Sequence, residues 1–373
     1  MTAHNNSQIS VLHVATARTW RGGEQQVAYL TSEFAKRNVR QYVLCTTGSP
    51  MEEYCQKNAI PFFTSGKRSS VDLAYAKKLK DICVSNSVSL VHVHDSHAHT
   101  FAVLAAVFGN KAKIIVSRRV DFKVQSGPFS RYKYNHPLVK RILCVSEKIK
   151  TITLPAVSDA LKLVTVHSGI DFSRFKEKRN TQLLHKEFNL SASAKIIGNV
   201  AALAPHKDYG TFVKTVALLK PQLPNAVFFI IGEGDERGNI EKLIRDNALE
   251  NSIIMTGFRT DVADILPELD LMLITSETEG LGTAILDAFA CRVPVVATAA
   301  GGIPEIVIHE RTGLLASVGD TAGLAAHVMK LMGNESLRNT LVAGATAHLE
   351  GFTKEATATK TLAEYLSVSG AEL

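Results

Sequence analysis

Ser276-Glu-Thr-Glu-Gly-Leu-Gly-Thr-Ala-Ile-Leu-Asp-Ala-Phe-Ala-Cys291 follows an apolar run, Leu269-Asp-Leu-Met-Leu-Ile274, that reads as a buried strand. The pattern breaks at Gly280 and Gly282 and resumes as a helix with Ile285, Leu286, Ala288, Phe289 and Ala290 facing inward. A strand, a glycine-containing turn and a helix start form a natural anion site, because the first helical amides have no partner within the helix. Glu279 stands just before the turn and Asp287 eight positions on, a little over two helical turns, so both carboxylates can face one side. Amides for phosphate and carboxylates for sugar hydroxyls are what a nucleotide-sugar requires. The same unit also occurs in parallel α/β domains where it serves packing alone, and acids near a helix start often serve only the dipole.

The surrounding sequence repeats this unit. Lys195-Ile-Ile-Gly198 opens a new series of strands and leads to Lys207 and Asp208 before a helix. Ala226-Val-Phe-Phe-Ile-Ile231 ends in Gly232 and Gly234, and Ser252-Ile-Ile-Met-Thr-Gly257 runs into Phe258 and Arg259. Val293-Pro-Val-Val-Ala-Thr298 is followed by Gly301, Gly302 and Glu305. These strands end in glycine or small polar residues, which opens a crevice along one sheet edge. In the first half, Ile9-Ser-Val-Leu-His-Val-Ala15 is a strand that leads through Gly22 and Gly23 into a helix carrying Val27, Leu30 and Phe34. A Gly-Gly turn lets backbone approach a phosphate or sugar without an intervening side chain.

Length and composition bound the reading. At 373 residues with 46% hydrophobic and 7% aromatic content, the chain suits two soluble α/β domains rather than one core. Five scattered cysteines argue against a disulfide framework or a zinc knuckle and fit a reducing cytoplasm. The first ten residues lack the apolar core of a signal peptide, and the apolar run Phe101 to Phe108 is too short to span a bilayer. Residues 1–150 carry 22 Lys and Arg against 9 Asp and Glu, whereas the remainder carries 20 against 26. Within 101–150 the ratio is 11 to 2. A basic first half suggests an anionic partner such as a membrane surface or phosphorylated glycolipid. Nucleic acid is disfavoured, because no aromatic-interleaved motif or recognition helix is present.

Leu90-Val-His-Val-His-Asp-Ser-His-Ala-His99 places His92 and His94 on one strand face. A His-x-His-x-Asp-His metal run would need an acid where Ser96 stands, so a polar cleft wall is favoured over a metal site. Ile114-Ile-Val-Ser-Arg-Arg119 ends a strand in paired arginines suited to phosphate or carboxylate. Lys176 to Asn180 reads as a charged linker, and Phe352 to Leu366 as an amphipathic helix that needs a surface to cover its apolar stripe.

From Gly257 to Gly313, the ordered set Gly-Phe-Arg, Ser-Glu-Thr-Glu-Gly-Leu-Gly, Pro-Val-Val-Ala-Thr, Ala-Gly-Gly-Ile-Pro-Glu and Thr-Gly-Leu resembles the family 4 retaining glycosyltransferases. The likeness extends over nearly the whole chain. It implies the GT-B fold: two Rossmann-like α/β domains facing across a cleft, with a C-terminal helix crossing back to the first. On that basis residues 1–170 form an acceptor-binding domain, 171–351 a nucleotide-sugar-binding domain, and 352–373 the returning helix.

The resemblance also implies a site. The family's paired acids match Glu279 and Asp287, the latter one methylene shorter than the usual glutamate. Gly280, Leu281, Gly282 and Thr283 lie along the donor diphosphate, and Asp287 reaches the ribose. Lys207 matches the diphosphate-binding lysine, while the family's arginine five places earlier is Ala202. Gly22 and Gly23 match the first-domain glycine loop, Phe258 and Arg259 the segment that meets the base, and Gly232 and Gly234 line the same crevice. The family's first-domain histidine falls at Arg119, counted from the His94-Asp95 strand end, so the expected catalytic set is Glu279, Lys207, Arg119 and Asp95. No metal and no cofactor are implied. The expected donor is a UDP-, GDP- or ADP-sugar, and the expected acceptor is a lipid-linked or anionic saccharide, met by a cytoplasmic enzyme with peripheral contact to anionic membrane. An epimerase of the same fold, or a donor-binding protein without catalysis, remains compatible with these residues.

Overall fold

Val, Ile and Leu runs bounded by glycine and small polar residues bury both faces only when helices cover a parallel sheet on each side. The computed structural model describes residues 9–124 and 127–370. Residues 1–8 of the opening stretch and 371–373 of the closing segment lie outside the described residues. The chain divides into two compact units, Met1–Gly169 with Lys354–Leu373, and Ile170–Thr353.

The first unit contains β1 (Ser10–Ala15), β2 (Arg40–Thr46), β3 (Phe62–Ser65), β4 (Leu90–Val93), β5 (Lys113–Arg118), β6 (Val139–Cys144) and β7 (Leu163–Thr165). They form one sheet in the order β3-β2-β1-β4-β5-β6-β7, every pairing parallel. The second unit contains β8 (Lys195–Val200), β9 (Ala226–Ile231), β10 (Ile253–Gly257), β11 (Leu271–Ile274), β12 (Val295–Thr298) and β13 (Leu314–Ala316). Their order is β10-β9-β8-β11-β12-β13, again all parallel. In both sheets the winding direction reverses, between β1 and β4 in one and between β8 and β11 in the other. The crevice beyond the carboxyl ends at such a reversal is where open α/β sheets bind ligands.

Each unit has its own core. In the second, Phe212, Val213 and Val216 of helix Tyr209–Leu219 pack with Phe228, Ile230, Leu271 and Leu273 from the strands. In the first, Ile9, Val11, Leu30 and Phe34 pack with Ala358, Tyr365 and Leu366 of the terminal helix Lys354–Ser369. The apolar stripe of that helix is thus buried on the first unit. The charged run 176–180 folds with the second unit, where Lys178 pairs with Asp264.

Candidate active site

The second unit brings two loops together at the β8/β11 reversal. After β8 the chain makes a short turn, Pro205–Lys207, and Asp208 takes a left-handed φ of 47° while its side chain accepts from the Thr211 amide at 2.9 Å, capping helix Tyr209–Leu219. After β11, Thr275 donates its hydroxyl to the carbonyls of Lys207 (3.2 Å) and Asp208 (3.0 Å), and the Glu277 amide donates to His206 O at 2.9 Å. These bonds fix the register of one loop against the other. Lys207 Nζ consequently meets Glu279 Oε1, which also accepts from Ser276 Oγ at 3.0 Å. The Glu279 carbonyl accepts from the Gly302 amide at 2.9 Å.

Gly282 then turns the chain with φ 87° into helix Thr283–Ala290, whose start has no side-chain cap. A Cβ at Gly282 would strain that left-handed backbone. A lysine and an uncapped helix start at a sheet reversal suit a diphosphate, the lysine by charge and the helix by amides and dipole. Glu279 neutralises Lys207.

The other expected donor residues divide by environment. Asp287 is half-buried, with Oδ1 shielded from solvent and without a hydrogen-bond partner, and this desolvation raises its pKa to about 7 against a smaller opposing pull from Arg174. Gly232 and Gly234 are required by packing. A Cβ at either would fall 1.9 Å from Ala201 O or 2.3 Å from Leu203 O, so the loops after β8 and β9 touch backbone to backbone. Phe258 is 72% exposed and free to stack on a base. Arg259 is held by Asp261 (2.8 and 2.7 Å) and by Glu187 (2.7 Å), and these carboxylates raise its pKa further. Its guanidinium is engaged by protein acids rather than presented to a base. Gly280 and Leu281 lie in the turn before Gly282, with Leu281 buried.

In the first unit, Gly22 and Gly23 open helix Gly22–Lys36, and a Cβ at either would meet nothing within 4 Å. Internal packing therefore gives no reason for glycine there, unlike Gly232 and Gly234. Asp95 caps helix Ser96–Val107, accepting from the amides of His97 and Ala98 at 2.9 Å, and binds Thr16 N (2.6 Å) and Oγ1 (2.8 Å). Its oxygens tie the loop after β1 to the end of β4. Arg119 donates to Ser168 Oγ (3.3 Å) and Ser117 Oγ (3.4 Å), its Nε is buried without a partner, and burial lowers its pKa to about 10.

His92 and His94 do not form a cleft wall. His92 and His94 do share a face, with ring centroids 4.1 Å apart, but that face is covered, leaving His92 1% exposed. His13 Nδ1 lies 3.1 Å from His94 Nε2, while His92 meets Tyr365 of the terminal helix and, at 2.8 Å, Ser117 Oγ. Ligand atoms of His13, His92 and His94 fall within 4.8 Å of one another, the spacing of a metal site. Both His92 nitrogens are occupied by hydroxyls, however, and His13 stacks on His94 at 25° between ring planes, so the trio packs as a core stack in which His13 Nε2 and His94 Nδ1 alone lack a partner.

Residues 20–174 match the family model described as Glycosyltransferase Family 4, and residues 180–348 match the one described as Glycosyl transferases group 1. The chain belongs to this family of glycosyltransferases. This glycosyltransferase is 29% identical over 276 residues to the N-acetyl-alpha-D-glucosaminyl L-malate synthase of Bacillus anthracis, covering 72% of each chain. It is 26% identical to the 2-deoxystreptamine N-acetyl-D-glucosaminyltransferase of Niallia circulans over 86% of this chain and 91% of the relative. Among solved structures, it resembles a glycosyltransferase of Rickettsia africae ESF-5 with a TM-score of 0.84 at 19% identity, covering 97% and 98% of the two chains. Anabaena HepE in complex with UDP gives 0.83 at 19% identity, covering 96% and 100%. The fold is therefore GT-B.

Sequence reasoning missed two polar residues of this glycosyltransferase, one in each unit. Ser276, three residues before Glu279, orients that carboxylate, and its place in the quoted stretch was the available signal. Lys133 is 7% exposed although it lies in the polar run Ser130-Arg-Tyr-Lys-Tyr, where nothing local marks it as buried.

Proposed function

We propose that this glycosyltransferase moves a sugar from a nucleoside diphosphate donor to an acceptor hydroxyl, with retention at the anomeric carbon. The observation that carries the reading is Lys207 paired with Glu279 beside the uncapped start of helix Thr283–Ala290. On donor binding the pyrophosphate displaces Glu279 from Lys207, and the amides of Gly282 and Thr283 take the second phosphate. The bond from C1 to the phosphate oxygen breaks and the acceptor oxygen bonds C1 on the same face. The acceptor proton passes to the leaving phosphate, whose growing charge Lys207 stabilises; fixed charge aimed at a leaving group is the largest contribution such a site can make. Glu279, released from the lysine, accepts sugar hydroxyls.

UDP is the favoured nucleotide, since HepE is described bound to UDP and to UDP-glucose; GDP and ADP are the alternatives. Relatives named for lipopolysaccharide core and amylovoran biosynthesis favour a lipid-linked or anionic saccharide as acceptor. The basic first unit fits peripheral contact with anionic membrane. Five free cysteines, four of them buried, suit a reducing cytoplasm. Among the described residues no helix is long and apolar enough to cross a membrane.

Calorimetric titration with UDP, GDP and ADP tests the donor site, and UDP should bind with an affinity that Lys207→Ala weakens. Labelled nucleotide-sugars incubated with membrane lipid extract test the transfer, and the product's anomeric configuration is read by NMR. A sugar interconverted without acceptor, or no binding of any of the three nucleotides, would overturn the assignment.

A further inference from the structure

Every pairing in the second sheet is parallel, so its strands all begin at one end and finish at the other. Lys207 and Glu279 follow the finishing ends of β8 and β11. At the starting end lies a different cavity, of about 420 Å³, within the roughly 300–1,000 Å³ of small-molecule sites. Lys195 opens β8, Asp270 immediately precedes β11, Pro294 immediately precedes β12, and all three line it.

The charges in this lining are unevenly satisfied. Glu268 accepts from the amides of Leu184 (2.8 Å) and His185 (2.9 Å) and pairs with His185 Nδ1 at 2.6 Å. Asp270 accepts from the Ile196 amide at 2.9 Å and from Lys195 Nζ at 3.0 Å. Both acids are thus committed to groups beside them. The guanidiniums of Arg292 and Arg338 also line the cavity, and they have no hydrogen-bond or ion-pair partner among the described residues. One solvated arginine is ordinary. Two from separate elements lining one concavity, with its acids already taken, leave an excess of positive charge there. The guanidinium fork suits phosphate and carboxylate alike, and an anion in a concavity is screened less than one on an open surface. Side-chain amides of Gln182 and Asn339 in the same lining can donate to and accept from hydroxyls.

Arg292 also has a place along the chain that matters. It follows Cys291, the C-cap of helix Thr283–Ala290, and holds φ 60°, the left-handed conformation that glycine most often supplies after a helix. The start of that helix carries the proposed diphosphate contacts, ~12 Å away along eight residues. A cation at a helix end complements the dipole, and an anion paired with it cancels that charge.

We propose that this cavity is a second binding site, for a small polyhydroxylated molecule carrying phosphate or carboxylate, and that its occupant lowers donor affinity through helix Thr283–Ala290. The second clause rests on the glycosyl-transfer reading; the first does not. Arg292 and Arg338 take the anionic groups, and the neighbouring amides take hydroxyls. Two anions held at opposite ends of one short helix repel each other, which sets the sign of the effect.

The full chain is titrated calorimetrically at constant ionic strength with 6-phosphogluconate, with inorganic phosphate and gluconate as its separate parts, and with glucose as uncharged control. Saturable binding of at least one of the three anions is expected, and none of glucose. Binding should persist in Lys207→Ala, which removes the phosphate contact of the donor site. It should weaken by about tenfold or more in Arg292→Gly and in Arg338→Gln, and be partly restored in Arg292→Lys. Glycine takes the left-handed backbone without strain, so Arg292→Gly removes the guanidinium and leaves the fold intact, which the melting temperature checks. Tighter binding of phosphate than of gluconate assigns a phosphate ligand, and the reverse assigns a carboxylate. No binding of any of the three anions, or binding indifferent to both arginines, overturns the site. UDP is then titrated with and without the bound anion at saturation. Its affinity should fall by about threefold or more in the unaltered chain and stay constant in Arg292→Gly. An unchanged affinity, or a fall that persists in Arg292→Gly as simple competition would, overturns the coupling alone. UDP binding that survives failure of the first titration leaves the donor reading standing. Anion binding at the arginines without UDP binding sinks the donor reading and the coupling, and leaves the site.

Discussion

Lys207 and Glu279 neutralise each other in a half-enclosed place, and this is the pairing that the proposed diphosphate would displace. Lys207→Ala should reduce kcat/KM by on the order of 10²–10³, the usual loss when one leaving-group stabiliser is removed, with near-ultraviolet circular dichroism unchanged. Asp287 calls for a different test. Its carboxyl is raised to about 7 by burial, so between the unfolded value near 4 and about 7 the folded state holds a proton that the unfolded chain has lost. The sign follows: no cost below about pH 4, a growing cost as pH rises, and the full cost above about pH 7. Asp287→Asn should therefore raise the melting temperature by a few degrees at pH 8 and leave it unchanged at pH 4, measured by scanning calorimetry. If the carboxylate holds a ribose, the same variant also weakens UDP binding; stabilisation without that loss would confine Asp287 to packing.

Strands β1 and β4 run side by side in parallel with His13 opposite His92, so the sheet itself builds the histidine stack. Buried imidazoles stay neutral: desolvation lowers His13 to about 3 and holds His92 and His94 well below their ordinary value. Below about pH 6.5 the unfolded chain takes up protons that these folded residues refuse. Stability is thus complete near neutrality and drains as pH falls through that window. Melting curves from about pH 7 to about pH 4.5 should show a steep decline, and His94→Gln, which cannot take up a proton, should flatten the slope even as it lowers the plateau. An unchanged slope would mean that other groups govern the acid limb. The terminal helix enters the same stack through Tyr365 and His92. Tyr365→Phe removes that bond from a buried site and should cost about 1 kcal/mol.

The helix Lys354–Ser369 follows the second unit in sequence yet buries Ala358, Tyr365 and Leu366 in the first. Truncation after Thr353 should therefore expose Val11, Leu30 and Phe34 and abolish cooperative unfolding of the first unit. The second unit, whose core contains none of the deleted residues, should retain its own transition and the UDP binding proposed for it. Calorimetry of the truncated chain distinguishes this from a helix that only decorates the surface, for which both transitions would survive. Charge is also distributed on this scale, since the basic excess falls in residues 1–150.

Local pattern alone sufficed for the succession of strands, glycine turns and helices, and for placing Lys207, Glu279 and Gly282 at strand ends, because period, turn chemistry and strand-end composition are short-range constraints. It was also enough to pair His92 with His94 on one face, since alternation in a strand permits nothing else. Which face is covered, however, depended on Tyr365 arriving from the far end of the chain. The capture of Arg259 by Glu187, the burial of Lys133 beneath Ser96 and Thr100, and the unpartnered Asp287 Oδ1 were likewise settled by tertiary packing. Solvation and charge pairing are properties of neighbours in space, and a linear sequence does not name those neighbours until the chain has folded.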